Sequence, residues 1–580
     1  MTRGSFGGFP TLGAVIVAAL GGGATTEGHN RRQRGQNIAT RAGRCWHPLR
    51  YGDRGGGRHG GGRAVVMTLG EHRKRRGDAV AVVMADSGVT LTYRELDDRS
   101  MRLARRLHAH GLRPGDHVAV LLENHPRYFE VFWAAMRSGL YVTPVSWHLD
   151  VDEIGHVVED CGASAFITSA AMGDVARSLG ARRLSAATLR LVMDGDLAGY
   201  TSYEEAIASQ PAMPLDDERE GSAMFYTAGT TGRPRGVRPP LSGAPHGSRP
   251  NPLAALLQAQ WGFDDATVYL CSLPLYHGAS IGFSSSVHRL GGTVVVLDRF
   301  DAGRSLDLIE QHGVTHAQFA PIHFVRMLEL DPAERAKRDL TSLRVVLHAG
   351  APCPVEVKEK VLDWLGPIVH EYYTGSEGNG FTIVGPDEWR EHRGTVGKGA
   401  AAAIHILDHD GHELPAGQPG LVWFDTGAQF DYHNAPQKTA DAFNELGWST
   451  LGDIGYLDDD GYLYLSDRAA HLITSGGTTV YPQVVENLLL VHPAVADVAV
   501  IGVPDPDLGE QVRALVQVVD GVITGEVLAV SLIERCQKHL PGASVPRSIE
   551  FVDDVGRLPT GKLHKRSLRA RYEQRVTLSS

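Results

Sequence analysis

The sequence is poor in the features that would assign it early to a specialised class. It holds five cysteines in 580 residues, Cys45, Cys161, Cys271, Cys353 and Cys536. Their odd number, wide spacing and lack of a CxxC pair argue against a disulfide scaffold or structural zinc site and fit a reducing cytoplasm. The apolar stretch from Ala14 to Leu20, with only Arg3 before it, is too short to span a bilayer. No GxxxxGK[ST] run is present, which disfavours a P-loop NTPase. No glycine fingerprint follows the first strand, which disfavours a dinucleotide-binding oxidoreductase. The 27 histidines include His316 and His323 but no HExxH, so a metal hydrolase lacks support. GASIG (Gly278 to Gly282) and GFSSS (Gly282 to Ser286) resemble a hydrolase nucleophile only superficially. Zinc-finger spacing is lacking and basic residues concentrate only near the N-terminus, so no nucleic-acid partner is expected. No acidic tail accounts for the net charge of -10, which reads as a matter of solubility.

What is there is ordinary globular sequence, 42% apolar and long enough for two or more domains. Residues 1–66 differ: ten arginines face only Glu27 and Asp53, and the stretch ends in GDRGGGRHGGGR. Such a segment buries too little apolar surface to offset its ordering entropy, so disorder is expected. Two readings stay open, a basic arm or a product that begins at Met67. From Ala79 onward strands alternate with helices. AVAVVMADSG gives a strand and turn, and Thr92 to Glu95 form a capping-box signature before a helix with Leu96, Leu103 and Leu107 on one face. The strand DHVAVLLEN, the helix YFEVFWAAMRSG, the strand YVTPV, a helix over Val151 to Glu159, TVVVL and LRVVLHAG continue the pattern. The alternation predicts an α/β architecture with mainly parallel sheets over residues 67–468. After about residue 400, short strands separated by DG turns predict hairpins and a small β-barrel-like subdomain. Residues 469–580 are expected to form a separate small, mobile α+β domain.

Four segments carry chemistry. FYTAGTTGRPRG, Phe225 to Gly236, combines glycines that admit close anion approach with hydroxyl donors on Thr227, Thr230 and Thr231 and the cations Arg233 and Arg235. Tyr372 to Glu377 offers an aromatic platform, a tight turn and a carboxylate suited to Mg²⁺ on a triphosphate. Asp453 follows Gly452, where it can accept ribose hydroxyls. Lys562 ends PTGK, a flexible turn from which an ammonium can reach developing negative charge. Singly, these read as a polar loop, a surface glutamate, a turn aspartate and a solvated lysine.

In combination, order and spacing, the chain from about Asp78 to Arg569 resembles the adenylate-forming acyl-CoA synthetases, the superfamily that also holds acetyl-CoA synthetase, luciferase and peptide-synthetase adenylation domains. It looks closest to bacterial fatty-acid–CoA ligases. The family's phosphate loop YTSGTTGxPKG is here YTAGTTGRPRG, with Thr227, Gly229, Thr230, Thr231, Gly232, Pro234 and Gly236 matching, Ala228 for serine and Arg235 for lysine. By resemblance Tyr373 stacks on adenine, Ser376 contacts phosphate and Glu377 holds Mg²⁺. HAGAPCP, containing His348, Ala349, Gly350 and Ala351, would line the adenine and acyl sites, and His277 of LPLYH would gate the carboxylate pocket. Asp453 and Arg468 would bind the ribose and phosphate side. Ala470 stands at the domain hinge, where a charged residue is common. SGGTTVYP, with Gly476, Gly477 and Tyr481, would approach coenzyme A after rotation of the small domain. Thr479 replaces the customary asparagine of that loop. Val484 occupies a position often filled by glutamate, while Glu486 remains. Lys562 would serve adenylation and be largely dispensable for thioester formation.

The resemblance implies two in-line substitutions, with ATP, Mg²⁺ and coenzyme A: acid plus ATP gives acyl-AMP and pyrophosphate, then the coenzyme A thiol displaces AMP. A small carboxylic acid is the expected partner, a fatty acid by overall pattern, in a cytoplasmic monomer or homodimer. Peripheral membrane contact stays compatible with this reading. Competing readings are a fatty-acyl-AMP ligase, an aromatic-acid–CoA ligase and a non-catalytic acyl- or nucleotide-binding homologue. The first is disfavoured because no long insertion separates Glu377 from Lys562.

Overall fold

The computed structural model describes residues 67–572 apart from 228–233, 401, 559, 564, 566, 567 and 571. The expectation for residues 1–66 lies outside the described residues, as do Gly229, Thr230, Thr231 and Gly232. Among the described residues no helix is long and apolar enough to cross a membrane.

Two large sheets organise the N-terminal part. The nine-stranded sheet has Val369–Thr374, Val345–His348, His316–Phe319, Val268–Cys271, Thr293–Val296 and Val80–Met84 as successive parallel neighbours, with antiparallel strands at both edges. The six-stranded sheet runs Thr201–Ser202, Leu189–Met193, Ala165–Ser169, His117–Leu121, Tyr141–Pro144 and Ser222–Ala223, all parallel. A single apolar core joins facing residues of both sheets, such as Leu347, Tyr269 and Val294 from one and Val118, Val142 and Ile167 from the other. The helix Tyr93–His110 lies in this core through Leu96, Leu103 and Leu107, as its periodicity predicts. Its capping box is complete, with Glu95 N donating to Thr92 Oγ1 at 3.2 Å and Thr92 N donating to Glu95 Oε2 at 2.8 Å. Donation from Thr92 N, joined by Thr92 Oγ1 at 2.8 Å, holds the Glu95 carboxyl below its ordinary value, and such a cap is worth about 1 kcal/mol. Helices Ala302–His312, Pro321–Glu329 and Val355–Leu365 cover the opposite face of the larger sheet.

The expected β-barrel-like subdomain takes the form of a four-stranded antiparallel sheet. Its strands are Ala403–Leu407, Gly420–Asp425, Ser449–Leu457 and Leu463–Arg468. A separate three-stranded sheet pairs Phe225–Thr227, Arg235–Arg238 and Asp431–Tyr432. The changeover to the C-terminal sheet falls in the 3₁₀ turn Ala469–His471. That sheet comprises Ile473–Ser475, Thr478–Val480, Val495–Asp505, Gly509–Val518 and Ser548–Phe551. Helices Pro482–Leu490 and Glu526–His539 bury Val485, Leu489, Leu532 and Cys536 against it.

Candidate active site

The site lies where the strand ends of the larger sheet, the four-stranded sheet and a hairpin of the C-terminal part meet around a cavity of about 730 Å³. Of the residues singled out in the sequence, Gly350, Ala351, Tyr373, Asp453, Arg468, Ala470 and Lys562 line it. Asp453 sits on Ser449–Leu457 directly opposite Arg468 in the antiparallel register. Its two oxygens are divided: Tyr373 Oη donates to Oδ2 at 2.5 Å, and Arg468 Nε lies 2.9 Å from Oδ1. Each oxygen keeps further lone-pair capacity, so this clamp can still accept ribose hydroxyls. Burial, with the Asp453 charge beside it, pushes the Tyr373 phenol well above its ordinary range.

Glu377 is held by a residue the sequence did not single out. Tyr432 Oη donates to Glu377 Oε1 at 2.9 Å. Tyr432 belongs to the short strand paired with Arg235–Arg238, which itself pairs with Phe225–Thr227 at Thr227↔Arg235. The base of the phosphate-type loop is therefore tied to Glu377 through one small sheet. Tyr226 in the same sheet donates to Asp160 Oδ2 at 2.6 Å, and His433 Nε2 lies 3.0 Å from Asp160 O. Among described residues, a carboxylate fixed through one oxygen beside a threonine- and arginine-bearing hairpin suits Mg²⁺, which takes one or two protein carboxylates plus phosphate oxygens.

Lys562 reaches the site from the C-terminal part. Gly561 has φ +83°, and a Cβ there would come within 2.9 Å of Ala320 Cβ, so both conformation and contact call for glycine. Gly350 is also left-handed, at φ +89°, and a Cβ there would stand 3.7 Å from Thr560 O. The hairpin tip is thus docked on the larger domain. Enclosure by protein, with Arg468 adding to it, pushes the Lys562 ammonium down to about 8, against the opposing pull of Glu377 and Asp453. Lys562 is exposed to the cavity that it lines; the surrounding protein and Arg468 act in the same direction. Burial, with the nearby Lys562 charge, pushes His277 down to about 3, so this imidazole is neutral. His277 occupies the N-cap position of the helix Gly278–Leu290 without a side-chain capping bond.

Two sequence readings need correction. His348 does not face the acid site: strand alternation turns Leu347 into the inter-sheet core and His348 to the opposite face. There it is fully buried, 3.5 Å from Glu371 Oε2 and edge-on to Phe324. Burial and the Lys358 charge push it well below its ordinary value. Lys358 and Glu371, with Nζ–Oε2 at 2.5 Å, form a buried ion pair on that face. The segment GASIG does carry GxSxG spacing, so spacing alone does not dismiss a nucleophile. The structure does: Ser280 lies inside the helix Gly278–Leu290, fully buried, and its Oγ has no hydrogen-bond partner.

Ala349 packs against the inter-sheet core, and Ser376 is exposed at the turn before Glu377. Gly476 and Gly477 form the turn between Ile473–Ser475 and Thr478–Val480, at φ +56° and +77°, and Tyr481 follows. None of the three lines the cavity. Glu486 is structural: Oε1 accepts from Val500 N at 2.7 Å and lies 2.9 Å from Lys565 Nζ. Both Glu486 and Val484 line the cavity, Glu486 buried and Val484 exposed.

Comparison with known proteins agrees with this arrangement. The family description "AMP-binding enzyme" matches residues 69–430, and "AMP-binding enzyme C-terminal domain" matches 484–562. The chain is 34% identical to a feruloyl-CoA synthase of Amycolatopsis sp over 507 residues, covering 86% of this chain and 98% of that protein. It is 31% identical to the fatty acid–[acyl-carrier-protein] ligase ScoC of Streptomyces coeruleorubidus, covering 88% and 96%. Among solved structures, ATP-bound MatB from Rhodopseudomonas palustris is 26% identical with a TM-score of 0.72, covering 86% and 96%. Apo MatB, with the same coverage, gives 0.61.

Proposed function

Because the chain belongs to the AMP-binding enzyme family, we propose that it joins a carboxylic acid to coenzyme A through an acyl-adenylate, with release of pyrophosphate and then AMP. One observation carries the reading: the C-terminal hairpin brings Lys562 to the cavity that Tyr373, Asp453 and Arg468 line, within electrostatic reach of Glu377 and His277. The acid carboxylate attacks the α-phosphorus and the bond to pyrophosphate breaks. Lys562 places positive charge where negative charge builds up, and Arg468 and Asp453 hold the nucleotide. Neutral His277 at the helix start leaves the carboxylate room without a competing cation. When Mg²⁺ is bound with the triphosphate, Glu377 would hold it and the ion would neutralise phosphate charge. No protein nucleophile takes part.

For the acid, we place an aryl or similarly compact group ahead of a long fatty chain. Tyr372, which borders the cavity, belongs to a stack of aromatic rings in the core beside it. Phe283 stacks on Tyr372 at 5.4 Å, and Tyr372 on Phe381 at 5.1 Å. Gln318 donates to Tyr372 Oη and accepts from Tyr269 Oη at 2.7 Å, which holds Tyr372 in place. Tyr372 thereby gives a planar acid an aromatic neighbour at the edge of the cavity. The name of the feruloyl-CoA synthase relative is in keeping with such an acid; that of ScoC keeps a fatty acid and a carrier-protein acceptor as the second reading.

The test is coenzyme A-dependent AMP release over acetate through palmitate, benzoate and coumarate. Turnover of benzoate or coumarate at least tenfold above palmitate is expected. Preference for palmitate overturns the aryl reading alone. Acyl-AMP that accumulates with coenzyme A present points to the carrier acceptor. Silence with every acid, in both AMP release and pyrophosphate exchange, overturns the ligase reading.

A further inference from the structure

The hairpin that carries Lys562 is held by a clamp between Arg557 and Asp497. Arg557 and Leu563 face each other across its stem. Leu558 N donates to Lys562 O and Gly561 N to Leu558 O, both at 2.8 Å. Inside this turn Arg557 Nη1 donates to Gly561 O at 2.7 Å. The rest of the guanidinium forms a fork on Asp497, with Nε to Oδ2 at 2.7 Å and Nη2 to Oδ1 at 2.6 Å. Asp497 is 5% exposed, stands near the start of the strand Val495–Asp505, and also accepts from Val498 N at 2.8 Å.

This geometry acts on one peptide plane. Gly561 O belongs to the peptide that leads into Lys562, so the direction in which Lys562 leaves the backbone follows that plane. Glycine at this point gives the turn freedom, and a lysine stem adds four rotatable bonds. The bidentate fork removes that freedom at the backbone, since a planar guanidinium bonded to Asp497 leaves Nη1 in a fixed place. We propose that Arg557 and Asp497 are positioning residues that orient Lys562 for adenylate formation. The proposal rests on the function proposed above for Lys562, not on any direct contact of Arg557 with substrate.

Because both partners belong to the C-terminal part, the clamp travels with Lys562. Its effect is therefore confined to the half-reaction that uses Lys562. A displacement of about 1 Å at a catalytic group costs on the order of 10²-fold in rate. Arg557→Met and Asp497→Asn should each lower acid-dependent ATP–pyrophosphate exchange by about 10- to 100-fold through kcat, with the KM for ATP changed less than about threefold. Conversion of supplied acyl-AMP to the thioester should stay within about twofold of the parent protein. In a Lys562→Ala background, Arg557→Met should cause no further loss, since a group that acts only through Lys562 is not additive with its removal. Arg557→Lys should restore part of the exchange, because one ammonium cannot serve Asp497 and Gly561 O with the same geometry.

A readout independent of turnover accompanies these rates. The labelling rate of Lys562 by an amine-acylating reagent, followed by mass spectrometry, should have its pH midpoint near 8 in the parent protein and higher in Arg557→Met. Equal loss in both half-reactions, full additivity with Lys562→Ala, or unchanged labelling of Lys562 in both variants each overturns the clamp. Lack of exchange by the parent protein with every acid overturns the ligase reading instead, and the labelling midpoint still decides the clamp. Thermal melting of both variants shows that the hairpin, not the fold, has changed.

Discussion

Raising the pH should switch off adenylate formation through a single group. Lys562 is the ammonium nearest the proposed reaction centre, and its surroundings hold it down to about 8, against about 10.4 for a free lysine side chain. The protonated form is the active one, so activity is full below that value and falls as pH rises through it. With a midpoint near 8, roughly 90% of the protein carries the charge at pH 7 and roughly 10% at pH 9. The kcat/KM for acid-dependent pyrophosphate exchange should therefore fall about tenfold between these values. An unperturbed lysine would lose less than about 5%. Two neighbours stay outside this window: His277 is held to about 3, and Tyr373 is pushed well above its ordinary range. Coenzyme A is absent from the exchange assay, so its thiol does not enter. Anionic ATP favours the ammonium, so the limb in kcat should lie at higher pH than the limb in kcat/KM. Lys562→Arg keeps its charge at every accessible pH and should lose the limb while reacting more slowly. Lys562→Ala should be about 10²- to 10³-fold slower and flat, the size expected for losing one charge-stabilising donor. A flat parent profile from pH 7 to 9, or an identical limb in Lys562→Arg, would refute the assignment.

Asp453→Ala removes the acceptor of Tyr373 Oη and of Arg468 Nε. Calorimetric titration should show ATP affinity reduced about 10- to 100-fold, and unchanged affinity counts against a ribose contact. Ala470→Pro stiffens the exposed turn Ala469–His471 and should slow thioester formation from supplied acyl-AMP more than pyrophosphate exchange; equal slowing argues against a hinge there. Tyr432→Phe frees Glu377 Oε1, and titration with Mn²⁺ in the presence of ATP should show metal affinity weakened about 5- to 20-fold. Metal affinity unchanged by that substitution would remove Glu377 as the metal ligand.

Residues brought together from far apart account for the part of the site that was hidden in the sequence. Tyr432 and Glu377 stand 55 positions apart, and Arg557 and Asp497 stand 60 apart. No local pattern links such pairs, because the pairing comes from strand register: Asp431–Tyr432 must lie beside Arg235–Arg238 before Tyr432 reaches Glu377. His348 shows the same limit in reverse. Its place in HAGAPCP suggested the acid site, but a strand alternates faces with period two, and one residue decides between the cavity side and the helix-covered face.

Local physics, by contrast, was legible directly. The capping box at Thr92–Glu95, the leucine face of the following helix and the apolar strand cores depend only on residues within a few positions of one another. So does the order of the motifs, which sufficed for the family and for Lys562, Asp453 and Glu377 as candidate chemistry. The state of that chemistry was decided by the tertiary structure. Lys562 owes its depressed ammonium to enclosure between two parts of the chain and then to Arg468, and His277 owes its neutrality to burial. A charge's energy depends on the dielectric and charges around it, and these are fixed only when distant segments meet.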